Sequence, residues 1–107
     1  MVKIAVAVND NGKKLEHFGQ SEYFVIYDYN KKDNSINYSD IKFSPKIKGQ
    51  KEQWEKSAET IKNCDIVLCE NIGAVAKKEI KKMGIEVILY SGHVTYVLDK
   101  YLNSKKN

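Results

Sequence analysis

Apolar positions in this chain come in short blocks separated by polar runs, and the spacing inside each block predicts an element. Val2 to Val8 is β-branched and almost continuously apolar, and Asn9-Asp10-Asn11-Gly12 follows it, so a buried strand running into a turn is expected. Lys13 to Ser21 shows neither strand nor helix period and reads as a loop. Tyr23-Phe24-Val25-Ile26-Tyr27 is apolar at every position, which predicts a strand covered on both faces. Asn30-Lys31-Lys32-Asp33-Asn34 then reads as a hairpin-type turn. Ile36 and Tyr38 alternate, and so do Ile41 and Phe43, but in the opposite phase. The slip near Ser39-Asp40 predicts a bulge in a third, antiparallel strand.

The second half changes period. Ser44 to Gln50 is polar, holds the only proline, Pro45, and is expected to be mobile. Lys51 to Asn63 reads as a helix, with Trp54, Ala58 and Ile61 on one side. Asp65 to Cys69 is a short buried strand. Gly73 to Met83 is a second helix with Ala76, Ile80 and Met83 on one stripe and lysines opposite, and Gly84 is placed to end it in the left-handed conformation. Ile85 to Tyr90 is the last strand. Val94, Val97, Leu98 and Tyr101 mark a third helix, and Asn103 to Asn107 is expected to fray. The order is β-β-β-α-β-α-β-α. Strand–helix–strand units give parallel pairs with right-handed crossovers. The hairpin extends the sheet on the other side. The expectation is an α/β fold with a five-stranded mixed sheet in the order 3-2-1-4-5, its second strand antiparallel, and three helices.

Composition narrows the class. A chain of 107 residues, 42% hydrophobic and 30% charged, is expected to be one globular domain over residues 1–107 rather than a disordered segment. The net charge of +4 is too mild to imply nucleic acid, and the seven tyrosines show no RNA-binding pattern. The apolar N-terminus is too short for a signal peptide, and no stretch approaches the roughly 20 apolar residues of a membrane span, so a cytoplasmic protein without membrane attachment is expected. Cys64 and Cys69 do not have the spacing of a redox or zinc motif, and both are expected to be reduced thiols.

Ligands of open α/β sheets bind beyond the carboxyl ends of the strands, near the point where strand order reverses. Here that point lies between the first and fourth strands. His17 follows the first strand, Cys69 closes the fourth, and His93 follows the fifth, so these three are candidate metal ligands on one edge. Phe18 and Gly19 beside His17, and Asn71 and Gly73 at the start of the second helix, are candidate contacts for an anionic cofactor. Each also has a plainer reading. His17 can hold its own turn by hydrogen bonding, Cys69 can be a small buried hydrophobe, His93 can cap the last helix, and Gly73 can serve close helix–strand packing. Lys42, Lys46, Lys48 and Lys51 are either a basic flap over an anion or a solvated loop, the second reading being favoured. There is no phosphate-binding glycine loop, no nucleophile elbow and no acid–base carboxylate pair. A Cys69–His17 nucleophile would need an orienting third group, and none is identified; a small enzyme using that pair stays as an alternative, one that predicts a reactive thiolate at neutral pH.

The start Lys3-Ile4-Ala5-Val6-Ala7-Val8, the loop Leu15-Glu16-His17-Phe18-Gly19 and Tyr23-Phe24-Val25-Ile26-Tyr27-Asp28 resemble the dinitrogenase iron-molybdenum cofactor biosynthesis domain, the NifX/NafY-like proteins and the C-terminal part of NifB. Cys64-Asp65-Ile66-Val67-Leu68, Ile72-Gly73 and Met83-Gly84-Ile85-Glu86-Val87 continue the resemblance, which spans about Val2 to Leu102. It implies a ribonuclease-H-like motif without nuclease chemistry. It further implies a non-catalytic carrier in nitrogen fixation for an iron–sulfur type cluster, the iron–molybdenum cofactor or its precursor, with the cluster histidine at His17. Partners would be nitrogenase or cofactor-assembly proteins. The alternative on the same fold is a metal-free anion- or nucleotide-binding or regulatory module.

Overall fold

The computed structural model describes residues 1–9, 11–47, 49–50 and 53–105. The chain forms β1 (Val2–Val8), β2 (Tyr23–Asn30), β3 (Ser35–Phe43), α1 (Trp54–Thr60), β4 (Ile66–Cys69), α2 (Ala74–Lys82), β5 (Glu86–Leu89) and α3 (Val94–Ser104). The sheet runs β3-β2-β1-β4-β5. β2 is antiparallel to both of its neighbours, while β1–β4 and β4–β5 are parallel. This is the order that the period changes and crossover rule predict. The bulge falls at the predicted place: Ile26 opposes Asp40 and Tyr27 opposes Tyr38, so Ser39 is the extra residue.

β1 is central, and its alternation builds both cores. Ala5 and Ala7 face α1 and α2, where Phe18, Phe24, Ile61, Val67 and Ile80 bury their side chains. Ile4, Val6 and Val8 face α3, packing with Leu68, Val97 and Tyr101. Each fully buried aliphatic or phenyl side chain contributes about 1.5–3 kcal/mol. Two apolar faces on one strand explain why β1 reads as a continuous run rather than an alternation.

Several boundaries differ from expectation. α1 spans only Trp54–Thr60, because Ile61 caps it and Cys64 N–H returns to the Ile61 carbonyl, turning the chain into β4. Lys51 and Glu52, at its expected start, lie outside the described residues. Met83 is 44% exposed instead of completing the α2 stripe. It is the C-cap, Gly84 turns the chain at φ +85°, and Ile85 takes the buried position. α3 continues through Asn103 and Ser104, whose hydroxyl donates to the Tyr101 carbonyl, where fraying was expected. β2 runs three residues further than its apolar block, to Asn30. Among the described residues, no helix is long and apolar enough to cross a membrane.

Candidate functional site

Because β1, β4 and β5 are parallel, their carboxyl ends share one edge. The segment after β1 turns back at Gly12, φ +71°, with Asn9 N–H donating to the Lys14 carbonyl at 2.9 Å. It then runs across that edge. Glu16 N–H donates to Ala7, Glu70 N–H to Glu16 and Phe18 N–H to Asn71, at 2.8–3.0 Å. Leu15 N–H donates to Gly92 and Val94 N–H to Lys13. Backbone bonds thus tie the loop to β1, to the exit of β4 and to the residues that lead into α3.

Side chains pin the same loop from both cores. Leu15 is buried on the α3 side, and Phe18 is buried on the other, its ring 5.7 Å from that of Phe24. The buried Ser57 hydroxyl, on α1, donates to the Phe18 carbonyl at 2.8 Å. The buried Ser21 hydroxyl accepts from Val8 N–H at 3.1 Å. Sequence reasoning missed both serines. Ser57 sits one residue before Ala58 in the helix stripe, and that adjacency to an apolar position is the only signal it carries.

His17 lies between the two pinned side chains and is half-buried. Its N–H donates to the Glu16 carboxylate at 2.7 Å. Gly19 N–H donates to His17 Nδ1 at 3.0 Å. A backbone N–H can only donate, so Nδ1 accepts, and in the neutral ring the proton sits on Nε2. Nε2 has no partner among the described residues. The ring therefore holds its own turn, as the plainer reading had it, and also offers one N–H donor. Metal ligation through Nε2 requires that proton to leave or the ring to release Gly19.

Asn71 is adjacent: its carbonyl accepts from Phe18, and its Oδ1 accepts from Ile72 N–H at 2.8 Å. Gly73 is the N-cap of α2 and provides no side-chain cap, so the leading amides of that helix remain unbonded within it. A Cβ at Gly73 would meet nothing within 4 Å, so close packing does not explain this glycine. A Cβ at Gly19 would sit 3.5 Å from the His17 ring and 3.7 Å from Trp54 N, in ordinary contact. The amides of Phe18 and Gly19 are already engaged, leaving His17 Nε2 and the start of α2 as donors for a ligand.

The three-ligand set His17, Cys69 and His93 is not assembled. Among the described residues no three His, Cys, Asp or Glu side chains are grouped to hold a metal ion. Cys69 is fully buried in the core under α1 and α2, and burial pushes its thiol up to about 12. That position also removes the Cys69–His17 nucleophile, which needs a thiolate. His93 is exposed and occupies the N-cap position of α3, as the capping reading had it, its carbonyl accepting from Val97 N–H, but it makes no side-chain cap bond. The two described lysines of the flap reading, Lys42 and Lys46, do not form a flap. Lys46 turns inward, donating to the carbonyls of Ser21 and Ser44 and to the Ser44 hydroxyl at 2.6–2.9 Å. Lys42 belongs to β3, and Lys48 and Lys51 lie outside the described residues. A depression lined by Tyr29, Asp65, Glu86 and Tyr101 is at the opposite end of the sheet.

Known proteins resemble this chain in sequence or in fold. The chain is 28% identical over 89 residues to the FeMo cofactor biosynthesis protein NifB of Chlorobaculum tepidum. That match covers 83% of this chain and 21% of NifB, so the chain spans about a fifth of the relative's length. The crystal structure of PH0822 superposes with a TM-score of 0.78 at 22% identity, covering 99% of this chain and 94% of that one. A crystal structure from Methanocaldococcus jannaschii, provisionally named a dinitrogenase, gives a TM-score of 0.71 at 22% identity, covering 96% and 89%. These two share the fold. The model of the dinitrogenase iron-molybdenum cofactor family matches residues 1–104, and the chain belongs to that family.

Proposed function

We propose that this chain is a non-catalytic carrier that receives an iron–sulfur type cluster, the iron–molybdenum cofactor or its precursor, on the edge formed by His17, Asn71 and Gly73. The observation that carries the reading is His17 itself. Its ring is fixed by Gly19, its Nε2 is unpartnered among the described residues, and it stands beside the start of α2, which has no side-chain cap. An N–H donor and unspent helix amides suit the sulfide and negative charge of such a cargo. Family membership and the likeness to NifB support the choice of cargo. Phe18 contributes by anchoring the loop, not by touching the cargo, and Cys69 takes no part. Partners in this reading are nitrogenase or cofactor-assembly proteins of the cytoplasm.

The test is anaerobic reconstitution with iron and sulfide, followed by absorption and electron paramagnetic resonance spectra. Wild type is expected to take up a cluster. His17→Ala should weaken that uptake by roughly ten- to a hundredfold, the range seen when a group supporting a metal site is removed. Cys69→Ala should bind as wild type does. Failure of wild type to acquire any cluster overturns the reading. One observation favours the metal-free anion-binding alternative: no third ligand joins His17 among the described residues. That alternative predicts a thermal shift with phosphate that persists in His17→Ala.

A further inference from the structure

We propose that β3 is the surface through which two copies of this chain pair, antiparallel and centred on Ile41, joining two five-stranded sheets into one. β3 is the outermost strand and, with nine residues, the longest. A long edge strand is a template for another chain unless something blocks it. Ser44 N–H donates to the Glu22 carbonyl at 2.7 Å, so in this part of the hairpin alternate backbone groups, those of Ile41 and Phe43, face outward. The Ile41 amide agrees with this: it donates to the carboxylate of its own neighbour Asp40, at 2.8 Å, and not to β2.

The flanking charges point to a second copy as the occupant. Asp40 and Lys42 lie on the same face of β3, either side of Ile41, and neither forms an ion pair among the described residues. A two-fold axis through Ile41 sets Asp40 opposite the Lys42 of the other copy, and by symmetry does so twice. Centring on Lys42 instead would oppose lysine to lysine, and centring on Asp40 would oppose aspartate to aspartate. Among these three registers that keep each residue on its own face, only the Ile41 register joins opposite charges.

The other face agrees. Tyr38, Ile41 and Phe43 are 62%, 44% and 68% exposed on one short stretch, with Tyr38 and Phe43 stacked edge-on against Tyr27 and Tyr23. Pairing at Ile41 brings the two isoleucines together and merges the flanking aromatics into one apolar surface. The bulge at Ser39 confines the new ladder to its C-terminal side, so the contact is short and depends on its charges. The edge at β5 has four residues and no comparable pattern of charge.

Sedimentation equilibrium on the full chain tests this. Wild type should form dimers. Asp40→Lys and Lys42→Asp should each weaken dimerisation by roughly tenfold or more, since each puts like charges face to face at both symmetric positions. The double variant should recover dimerisation. So should an equimolar mixture of the two single variants, because one then supplies two lysines and the other two aspartates. Circular dichroism and thermal melting of each variant check that it is folded. A wild type that stays monomeric up to about millimolar concentration overturns the proposal. So does a dimer indifferent to the single changes, or one that neither the double variant nor the mixture restores.

Discussion

Ser57 shows how much of the candidate site hangs on single polar atoms. Its hydroxyl is the hydrogen-bond donor to a buried carbonyl of the His17 loop. Ser57→Ala leaves that carbonyl unsatisfied, which should lower stability by about 1–3 kcal/mol in chemical denaturation. It should also speed hydrogen exchange at the Phe18 and Gly19 amides, because the loop loses its bond to α1. At this scale the sequence was only partly legible. His17 stood out because the chain has two histidines and one follows the first strand. The place of Cys69 at a strand end is visible in sequence, but the face its side chain takes, into the core under α1 and α2, is decided by β4's register. The tautomer of His17 depends on where one amide of a non-repetitive loop points, and no period in the sequence encodes that.

Among the elements, the connection between β3 and α1 departs most from its sequence. A polar stretch with a proline reads as mobile, yet its described part is tied down. The buried Gln53 amide donates to the Ile47 and Gln50 carbonyls and accepts from Ile47 N–H. Lys46 fastens it to Ser21. Polar side chains that satisfy backbone groups look, in sequence, the same as polar side chains in water. Lys46 gives this connection a pH signature. Burial first, and repulsion from Lys56 second, lower its ammonium from 10.5 to about 8. Between these values the unfolded chain keeps a proton that the folded chain has lost, so folding stability rises with pH across that window. Denaturation of wild type and Lys46→Met at about pH 7 and about pH 10 should show the difference moving in favour of wild type as pH increases. The strands and helices, by contrast, are readable in kind and order, though not at several of their ends. Their apolar periods survive burial, and even the bulge was visible as a slip in phase.

At the scale of the molecule, the two faces of the sheet are covered unequally. Among the described residues, α1 and α2 share one face, while α3 alone covers the other. α3 is held by Val97 and Tyr101, and the Tyr101 ring meets Tyr29 edge-on at 5.5 Å. Tyr101→Ala should therefore cost about 3–5 kcal/mol, measured by urea denaturation, with protection from hydrogen exchange lost first across α3. The strand order followed from crossover handedness and hairpin adjacency. Where a single helix would stop covering its sheet did not follow, since that depends on helix length against sheet width.

The loop over the strand ends is fastened to β1, β4, α1 and the lead-in to α3 before any ligand arrives. Such a shelf has little freedom left to lose if something settles on it, so the proposed capture and release would need no opening or closing of the protein. With His17 half-buried, a cargo held there would stay open to solvent on one side. If the chain carries cargo there as proposed, a next acceptor would take it by direct approach, and the timing of transfer would belong to that acceptor rather than to any motion of this chain.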